Sequence, residues 1–216
     1  MGFDVDFFLE LLPKILAGSL MTVWAALLGS VGAVAFGLAL AIGRRSGGVG
    51  RVGTICFSEA VRLSPFLVQL YFLYFVLPTW GIVISATAVG VLALSLHYGA
   101  FLGEVFDAGL SAVPHGQIEV GNALGMKRWQ IMWLVMLPQT LRFVAAPSAN
   151  HLIGLLKSTP YLATIGVHEM LGSAFDVASD TFRYVEPLTA AGLLFLVFSA
   201  IVGSLVRVVE TRLRPF

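Results

Sequence analysis

The fold of this chain is decided by an uncharged run of 28 residues from Ile15 to Ile42, which reads ILAGSLMTVWAALLGSVGAVAFGLALAI. About 20 apolar residues are enough for one helix to cross the hydrocarbon core of a bilayer. The rest of the chain has the same character, because 58% of its 216 residues are hydrophobic and only 12% are charged. A soluble domain carries about 25% charged residues. The sequence therefore predicts an all-α membrane protein and excludes a water-soluble enzyme.

Four further apolar runs follow the first one, and together they predict a single transmembrane domain, 1–216, with five helical spans. The spans are expected at about 15–42, 55–77, 82–103, 144–167 and 188–206. A long polar and aromatic segment, 111–143, separates the third span from the fourth. The one cysteine of the chain, Cys56, falls in an apolar stretch, where a small buried side chain is the expected role.

Lysine and arginine are unevenly distributed between the two sides of the predicted membrane. Nine of them fall in the turn after the first span, in segment 111–143 and in the C-terminal tail, whereas only Lys14 and Arg183 fall on the other side. Because positive residues are retained in the cytoplasm, we expect the N-terminus outside and the C-terminus in the cytoplasm. The net charge of +1 gives no indication of a nucleic-acid partner.

Segment 111–143 carries the most specific pattern of the chain. Pro114 and Gly116 open a turn, and residues 117–124 are long enough for two helical turns. Glu119 would lie near the positive end of that helix dipole, and Gly125 suits the left-handed residue that ends a helix. We therefore expect a short helix on the cytoplasmic side.

A second helix is expected directly after Gly125. Four large residues would share one face of it at helical spacing, namely Trp129, Met132, Trp133 and Met136. The tryptophans are expected at the level of the lipid headgroups, where indole rings are enriched. Pro138 is expected to end this element.

The spacing of Glu119, Gly125 and Pro138 resembles the signature of the membrane subunits of bacterial ABC importers. That signature reads Glu-Ala-Ala, three residues, Gly, nine residues, Ile-x-Leu-Pro, and here Val120 and Gly121 replace the two alanines. Further segments resemble the polar amino-acid uptake branch of these subunits, namely 59–70, 113–117, 137–142 and 157–160. Two others, 96–98 and 181–188, are similar to the ectoine and hydroxyectoine branch.

The resemblance implies a type I ABC importer permease fold in a bacterial inner membrane, with five transmembrane helices and a short cytoplasmic coupling helix. It also implies that the coupling helix docks in a cleft of a separate ATPase. The residues that would carry this coupling are Gln117, Glu119, Gly121, Asn122, Ala123, Gly125 and Pro138. The expected partners are an ABC ATPase subunit dimer, an identical or sister permease subunit, an extracytoplasmic solute-binding protein and membrane lipid.

The chain itself is expected to be non-catalytic. Its three lysines, Lys14, Lys127 and Lys157, all lack the preceding glycine of a phosphate-binding loop, so ATP and Mg²⁺ would be bound by the partner ATPase and no cofactor by this chain. The His168-Glu169 pair has Gly172 where a zinc protease motif requires its second histidine. No metal site is therefore expected.

Polar and charged residues inside the spans are the candidate pathway and gate residues, because charges at membrane depth are costly unless they are paired. These candidates are Arg62, His97, Tyr98, Glu104, Lys157, Ser158 and Thr159. Glu59 and Arg62 lie three residues apart and are expected to form a structural ion pair, with a role of Arg62 in the inner gate as the alternative. For Glu104, a solvated helix end competes with a gating role.

Lys157 is the sharpest of these candidates, because it lies in a polar span directly before the helix-breaking Pro160. Its ammonium group would either pair with a neighbour such as Glu104 or bind a carboxylate of the cargo. For His97 and Tyr98, ordinary hydrogen bonds between helices are the alternative to a place on the pathway.

The predicted function is that of a permease subunit that forms half of a translocation path for a polar amino acid or a related zwitterion such as ectoine or hydroxyectoine. The alternative is a secondary transporter of small zwitterions that works without an ATPase, although the sequence has no internal repeat of the kind such transporters usually show. An intramembrane hydrolase would need a nucleophile or metal constellation that these residues do not provide.

Overall fold

The computed structural model describes residues 3–213, and every regular element in that range is a helix. The α-helices are α1 (Val5–Arg44), α2 (Gly48–Leu63), α3 (Phe66–Tyr71), α4 (Ala86–Ser111), α5 (His115–Ala123), α6 (Arg128–Gln130), α7 (Leu137–Ser158), α8 (Met170–Thr181) and α9 (Val185–Leu213). Wider π turns cover Phe72–Val76 and Ile131–Met136, and tighter 3₁₀ turns cover Leu77–Trp80 and Thr159–Ile165. The all-α prediction is confirmed.

Three helices of the described residues, α1, α4 and α9, are long and apolar enough to cross a membrane. They contain the predicted spans 15–42 and 188–206 and most of 82–103. α7 is not among them, because its polar residues lower its mean hydropathy. The five-span count therefore stays a prediction.

The second predicted span, 55–77, is wrong as a single helix. α2 and the helical segment Phe66–Trp80 meet at an angle of 106°. Ser64 is extended there, with ψ at 141°, because the ring of Pro65 disfavours helical backbone in the preceding residue. Cys56 lies on α2 with an exposed side chain, so the expectation that it is buried is also wrong.

The prediction that Pro138 ends the loop helix is wrong as well. The helical path runs from Arg128 through the π turn Ile131–Met136 into α7, and Pro138 lies in the first turn of α7. Proline is tolerated in the first turn of a helix, because its missing N–H group would have no partner within the helix there. The π turn before Pro138 is wider than an α turn, so no regular α-helical hydrogen bond is needed at this position. α7 is therefore continuous with the segment that precedes it, Arg128–Met136.

The centre of the bundle is the contact between α1 and α4, which run parallel. Glycines of α1 lie directly against side chains of α4, and a Cβ atom on Gly32 would clash with Ser95 Oγ. Likewise, a Cβ atom on Gly37 would lie 2.9 Å from Leu102 Cβ. Small residues of this kind allow two helix backbones to approach closely inside a membrane.

On the side of the chain that carries the N-terminus, the loop 168–187 folds back against α1. Glu169 is fully buried and caps α8, accepting hydrogen bonds from Gly172 N at 2.8 Å and from Thr22 Oγ1 at 3.3 Å. Burial raises the pKa of Glu169 above its usual value. This carboxyl group ties α8 to α1.

Candidate functional site

Arg62 lies at the centre of a cluster that joins α2 to α4. Its Nη1 atom is 3.1 Å from Glu59 Oε1 and also contacts the carboxylate of Glu104. The guanidinium carbon lies 5.5 Å from the centre of the Phe101 ring. The Glu59 and Glu104 side chains are 42% and 46% exposed, and that of Arg62 is 23% exposed. One cation is thus shared by two carboxylates that remain open to solvent or cargo.

Aromatic and imidazole rings surround this ion cluster. The His97 ring packs edge-on against Phe66 and Phe101, each with 5.3 Å between ring centres. The His151 ring of α7 stacks on Phe101 at 5.3 Å with an interplanar angle of 27°. Phe101 of α4 is therefore in contact with the charged Arg62 of α2 and with the His151 ring of a third helix, α7.

Gln69 connects the cluster to the bend between α2 and α3. Its amide nitrogen donates to the carbonyl of Val61 at 2.6 Å and to that of Ser64 at 3.1 Å. These carbonyls lose their helical partners at the break, so the glutamine replaces those hydrogen bonds. Its Oε1 atom is 3.2 Å from His97 Nδ1. The bend and the ring shell are thus held by one side chain.

His151, Phe101 and Gln69 were missed as candidates from the sequence. Phe101 lies four residues after His97 and three before Glu104, so that all three share one face of α4. That spacing is the signal that could have found Phe101. His151 is one of several polar residues in its span, and its partner on α4 depends on how α7 is rotated.

Tyr98 and Ser158 lie beside the cluster and join α4 to the end of α7. Their hydroxyl oxygens are 2.7 Å apart, and the Tyr98 ring packs against His97 with 5.2 Å between centres. Thr159 is fully buried and donates to the carbonyl of Leu156 at 2.8 Å. The Thr159 hydroxyl is therefore used to satisfy a carbonyl near the end of its own helix.

Lys157 lies apart from these residues. Its exposed side chain lines a crevice of about 520 Å³ between α7, Pro160 and α9, where Phe195 and Leu196 form much of the wall. Pairing with Glu104, one of the two alternatives for the Lys157 ammonium group, is not found, and Glu104 pairs with Arg62 instead. The residues that the structure describes offer Lys157 no acidic partner within 4.0 Å.

The segment 111–143 forms a second candidate site around α5. The expected short helix is present as α5, and Gly125 adopts the left-handed conformation with φ at 72°, as expected. Glu119, Asn122 and Ala123 have exposed side chains. Gly121 is buried, and a Cβ atom there would lie 2.9 Å from Ile131 Cγ1. The glycine thus lets α5 lie directly on the π turn that leads into α7.

An open apolar groove of about 330 Å³ runs beside α5. Its lining residues are Gly116, Gln117, Val120, Gly121, Leu124, Met126 and Val135. Val120 and Leu124 are 59% and 74% exposed, so α5 presents apolar side chains at the surface of the chain. Pro138, three residues after the groove residue Val135, is also exposed. Gln117 is hydrogen-bonded to Gln139. An exposed apolar surface on a rigid base is typical of a docking site.

The four residues predicted on one face of the loop helix do not stay together. Trp129 and Trp133 are 61% and 63% exposed, and Met132 is also exposed. Met136 is buried against Val113 instead. The π turn between them is wider than an α turn and rotates the later residues toward the core.

Among the residues that the structure describes, no group of three or more His, Cys, Asp or Glu side chains could hold a metal ion. The two candidate sites therefore consist of an ion cluster with aromatic walls and an apolar docking surface.

The whole chain is similar in sequence to known membrane transport proteins. Residues 33–215 match the family described as binding-protein-dependent transport system inner membrane component. The chain is 34% identical, over 97% of its length and 91% of the other chain, to the probable amino-acid ABC transporter permease protein y4tG of Sinorhizobium fredii (strain NBRC 101917 / NGR234). It is 29% identical to the glutamine transport system permease protein GlnP of Escherichia coli (strain K12), covering 99% of both chains.

Solved structures are similar over nearly the whole chain. A structure described as an amino acid ABC transporter with histidines is 28% identical, with a TM-score of 0.90, and covers 98% of this chain and 100% of that chain. An inward-facing methionine ABC transporter, MetNI, is 16% identical with a TM-score of 0.72, and it is similar in fold alone.

Proposed function

Because this chain belongs to the family of binding-protein-dependent transport system inner membrane components, we propose that it forms half of the translocation path of an ATP-driven importer. It is a non-catalytic permease subunit of the amino-acid ABC importer type, in an inner membrane. We further propose that the N-terminus lies outside and the C-terminus in the cytoplasm. An identical or sister permease subunit supplies the other half of the translocation path.

The observation that carries the proposed path is the contact of Arg62 with both Glu59 and Glu104. Charged groups in a membrane bundle are costly unless they are paired or line a hydrated cavity. Both carboxylates are more than two-fifths exposed, so they are paired and still accessible. A cluster with these properties supports a path for a polar solute, with Arg62 and Glu104 as gate residues.

The cargo we propose is a polar amino acid or a related zwitterion such as ectoine or hydroxyectoine. A zwitterion presents both an anion and a cation, which complement the guanidinium of Arg62 and the carboxylate of Glu104. Glutamine and octopine are the solutes in the names of two similar permeases. His97 and Tyr98 border the cluster, as required of pathway residues. Lys157 lies in a separate crevice and would reach a carboxylate of the cargo only from there.

The cytoplasmic loop is proposed to couple this path to a separate ABC ATPase dimer, which binds ATP and Mg²⁺. α5 presents Val120 and Leu124 to the cytoplasm and lies on the π turn through Gly121. When the ATPase subunits close, α5 moves with them, and α7 transmits that movement because it is continuous with the segment under α5. Glu119, Asn122 and Ala123 would face the ATPase from the exposed side.

The test is reconstitution of the permease with its ATPase and its solute-binding protein in vesicles. We expect uptake that requires ATP on the side of the vesicle membrane that carries the ATPase. We also expect the ATPase to co-purify with this chain. Uptake that continues with the permease alone and follows an ion gradient would instead establish the secondary transporter. Binding of ectoine, hydroxyectoine, glutamine, histidine and arginine to the solute-binding protein would then decide the cargo.

A further inference from the structure

The turn between α8 and α9 places an aromatic residue in an unusual position. Phe182 has φ at 55°, and it is the one residue other than glycine with positive φ in the part of the chain that the structure describes. Its side chain is 87% exposed, and Tyr184 and Val185 beside it are 48% and 64% exposed. The left-handed conformation is unfavourable for a residue with a Cβ atom. Packing within this chain does not compensate for that conformation, because the phenyl ring touches little else.

The same turn is held firmly by its neighbour Arg183. Its Nη1 atom donates to Asp4 Oδ2 at 3.1 Å, and its Nη2 atom donates to Glu186 Oε1 at 2.7 Å. The guanidinium carbon also lies 4.1 Å from the centre of the Phe7 ring. Glu186 is only 4% exposed and accepts a further hydrogen bond from Asp4 N at 3.1 Å. The turn is therefore fixed to the starts of both α1 and α9.

A fixed, unfavourable turn that exposes an aromatic ring indicates a partner with a defined surface. A fluid layer of lipid headgroups accommodates any side-chain direction, so lipid alone gives no reason to fix the backbone. A rigid protein partner does, because pre-ordered groups lose less entropy on binding. Aromatic residues on rigid supports are also the residues that most often dominate protein interfaces.

The charge around the turn indicates which kind of protein would fit. Asp6 and Glu10 on the first turns of α1 are exposed, and within the described residues they form no ion pair. This side of the chain is the proposed outer face, where a binding protein must deliver its cargo. Complementarity then requires a partner with a basic rim around an apolar pocket.

Resting on the proposed function, we propose that Phe182 and Tyr184 form a docking contact for the extracytoplasmic solute-binding protein. The phenyl ring of Phe182 enters an apolar pocket of that protein, and Asp6 and Glu10 face basic residues on its rim. Arg183 acts as a positioning residue that holds the turn in the docking conformation.

The test uses Phe182→Gly in the complete transporter, because glycine adopts positive φ without strain and the variant should fold at least as well as the wild type. We expect basal ATP hydrolysis to stay unchanged, and the affinity for the purified solute-binding protein to fall about tenfold or more, as for the loss of an aromatic anchor. Phe175→Ala on α8, where Phe175 is 40% exposed, is the matched control and should leave that affinity unchanged.

Unchanged affinity of Phe182→Gly for the solute-binding protein would overturn the docking contact. A wild-type complex that shows no ATP-dependent uptake would instead overturn the proposed function, so the two failures differ. A third outcome is contact with lipid. It is tested by attaching a fluorescent maleimide to Phe182→Cys, combined with Cys56→Ser, in phosphatidylethanolamine and phosphatidylglycerol vesicles. Protection of the label by the solute-binding protein supports the proposal, whereas quenching by spin-labelled lipid without such protection overturns it.

Discussion

Replacing Arg62 with methionine should separate the structural role of the ion cluster from its role in transport. The change removes the cation that lies 3.1 Å from Glu59 and in contact with Glu104, while keeping an unbranched side chain of similar length. A fully buried charge that loses its partner costs about 3–5 kcal/mol. Because the two carboxylates are 42% and 46% exposed, solvent reduces that cost to about 1–2 kcal/mol. Uptake should be abolished.

A variant without any charge in the cluster separates stability from transport. Combining Arg62→Met with Glu59→Gln and Glu104→Gln removes the unpaired carboxylates, so most of the lost stability should return. Uptake should not return, since the groups proposed to meet the cargo are gone. Arg45→Met is the matched control, because Arg45 lies directly after α1 and forms a 2.9 Å ion pair with Asp107 that is open to solvent. We expect it to lose at most about 1 kcal/mol and to keep transport.

The assays are thermal unfolding of the purified complex and ATP-dependent uptake in vesicles, measured on the same preparations. If the variant without any charge in the cluster transported at the wild-type rate, the cluster would serve only structure and the proposed path would lie elsewhere. If Arg62→Met kept both stability and uptake, the pairing itself would be unimportant.

Three further substitutions test the other contacts. Gly121→Val should push α5 away from Ile131, whose Cγ1 atom would lie 2.9 Å from the new Cβ, so that ATP hydrolysis by the complex continues while uptake is lost. Burial raises the pKa of Glu169, so ionisation of this carboxyl group destabilises the fold as pH rises through that pKa. Glu169→Gln should therefore raise the melting temperature at pH 8. The gain should vanish in acid, where the wild-type carboxyl group is also neutral. Gly32→Val should cost about 1–3 kcal/mol of stability by separating α1 from α4, whereas Gly53→Val, which meets nothing within 4 Å, should show no such overpacking in the same unfolding assay.

The long spans were predictable from the sequence because their signal is local. The run inside α1 carries no charge over 28 residues, and α9 carries a similar apolar run, so length and composition suffice. The left-handed Gly125 was predictable for the same reason, since a glycine after two helical turns has few other roles. The break at Ser64 was not predicted, because apolar residues continue on both sides of Pro65 and hydropathy does not register a change of direction.

The partner of Glu104 could not be predicted, because two cations in the spans were available to it. Which of the two cations, Arg62 or Lys157, pairs with Glu104 depends on the rotation of α7 about its own axis, and a single sequence does not determine that rotation. In the structure, His151 and Ser158 are seven residues apart and both face α4. Lys157 is one residue from Ser158 and is therefore turned by about 100° toward α9. Arg62 is left as the cation that reaches Glu104.

The two candidate sites are joined by one helical body, and this gives coupling a physical route. At one end, Ile131 lies under Gly121, and at the other end Ser158 contacts Tyr98 beside the ion cluster. These ends are 27 residues apart, or about 40 Å along a helix. A movement of α5 therefore reaches the cluster through α7 without passing through the α1 and α4 contact. If this route operates, spin labels across the Tyr98 and Ser158 contact should change separation when ATP is added, and the change should disappear in Gly121→Val. A change that persisted in that variant would place the coupling route outside α7.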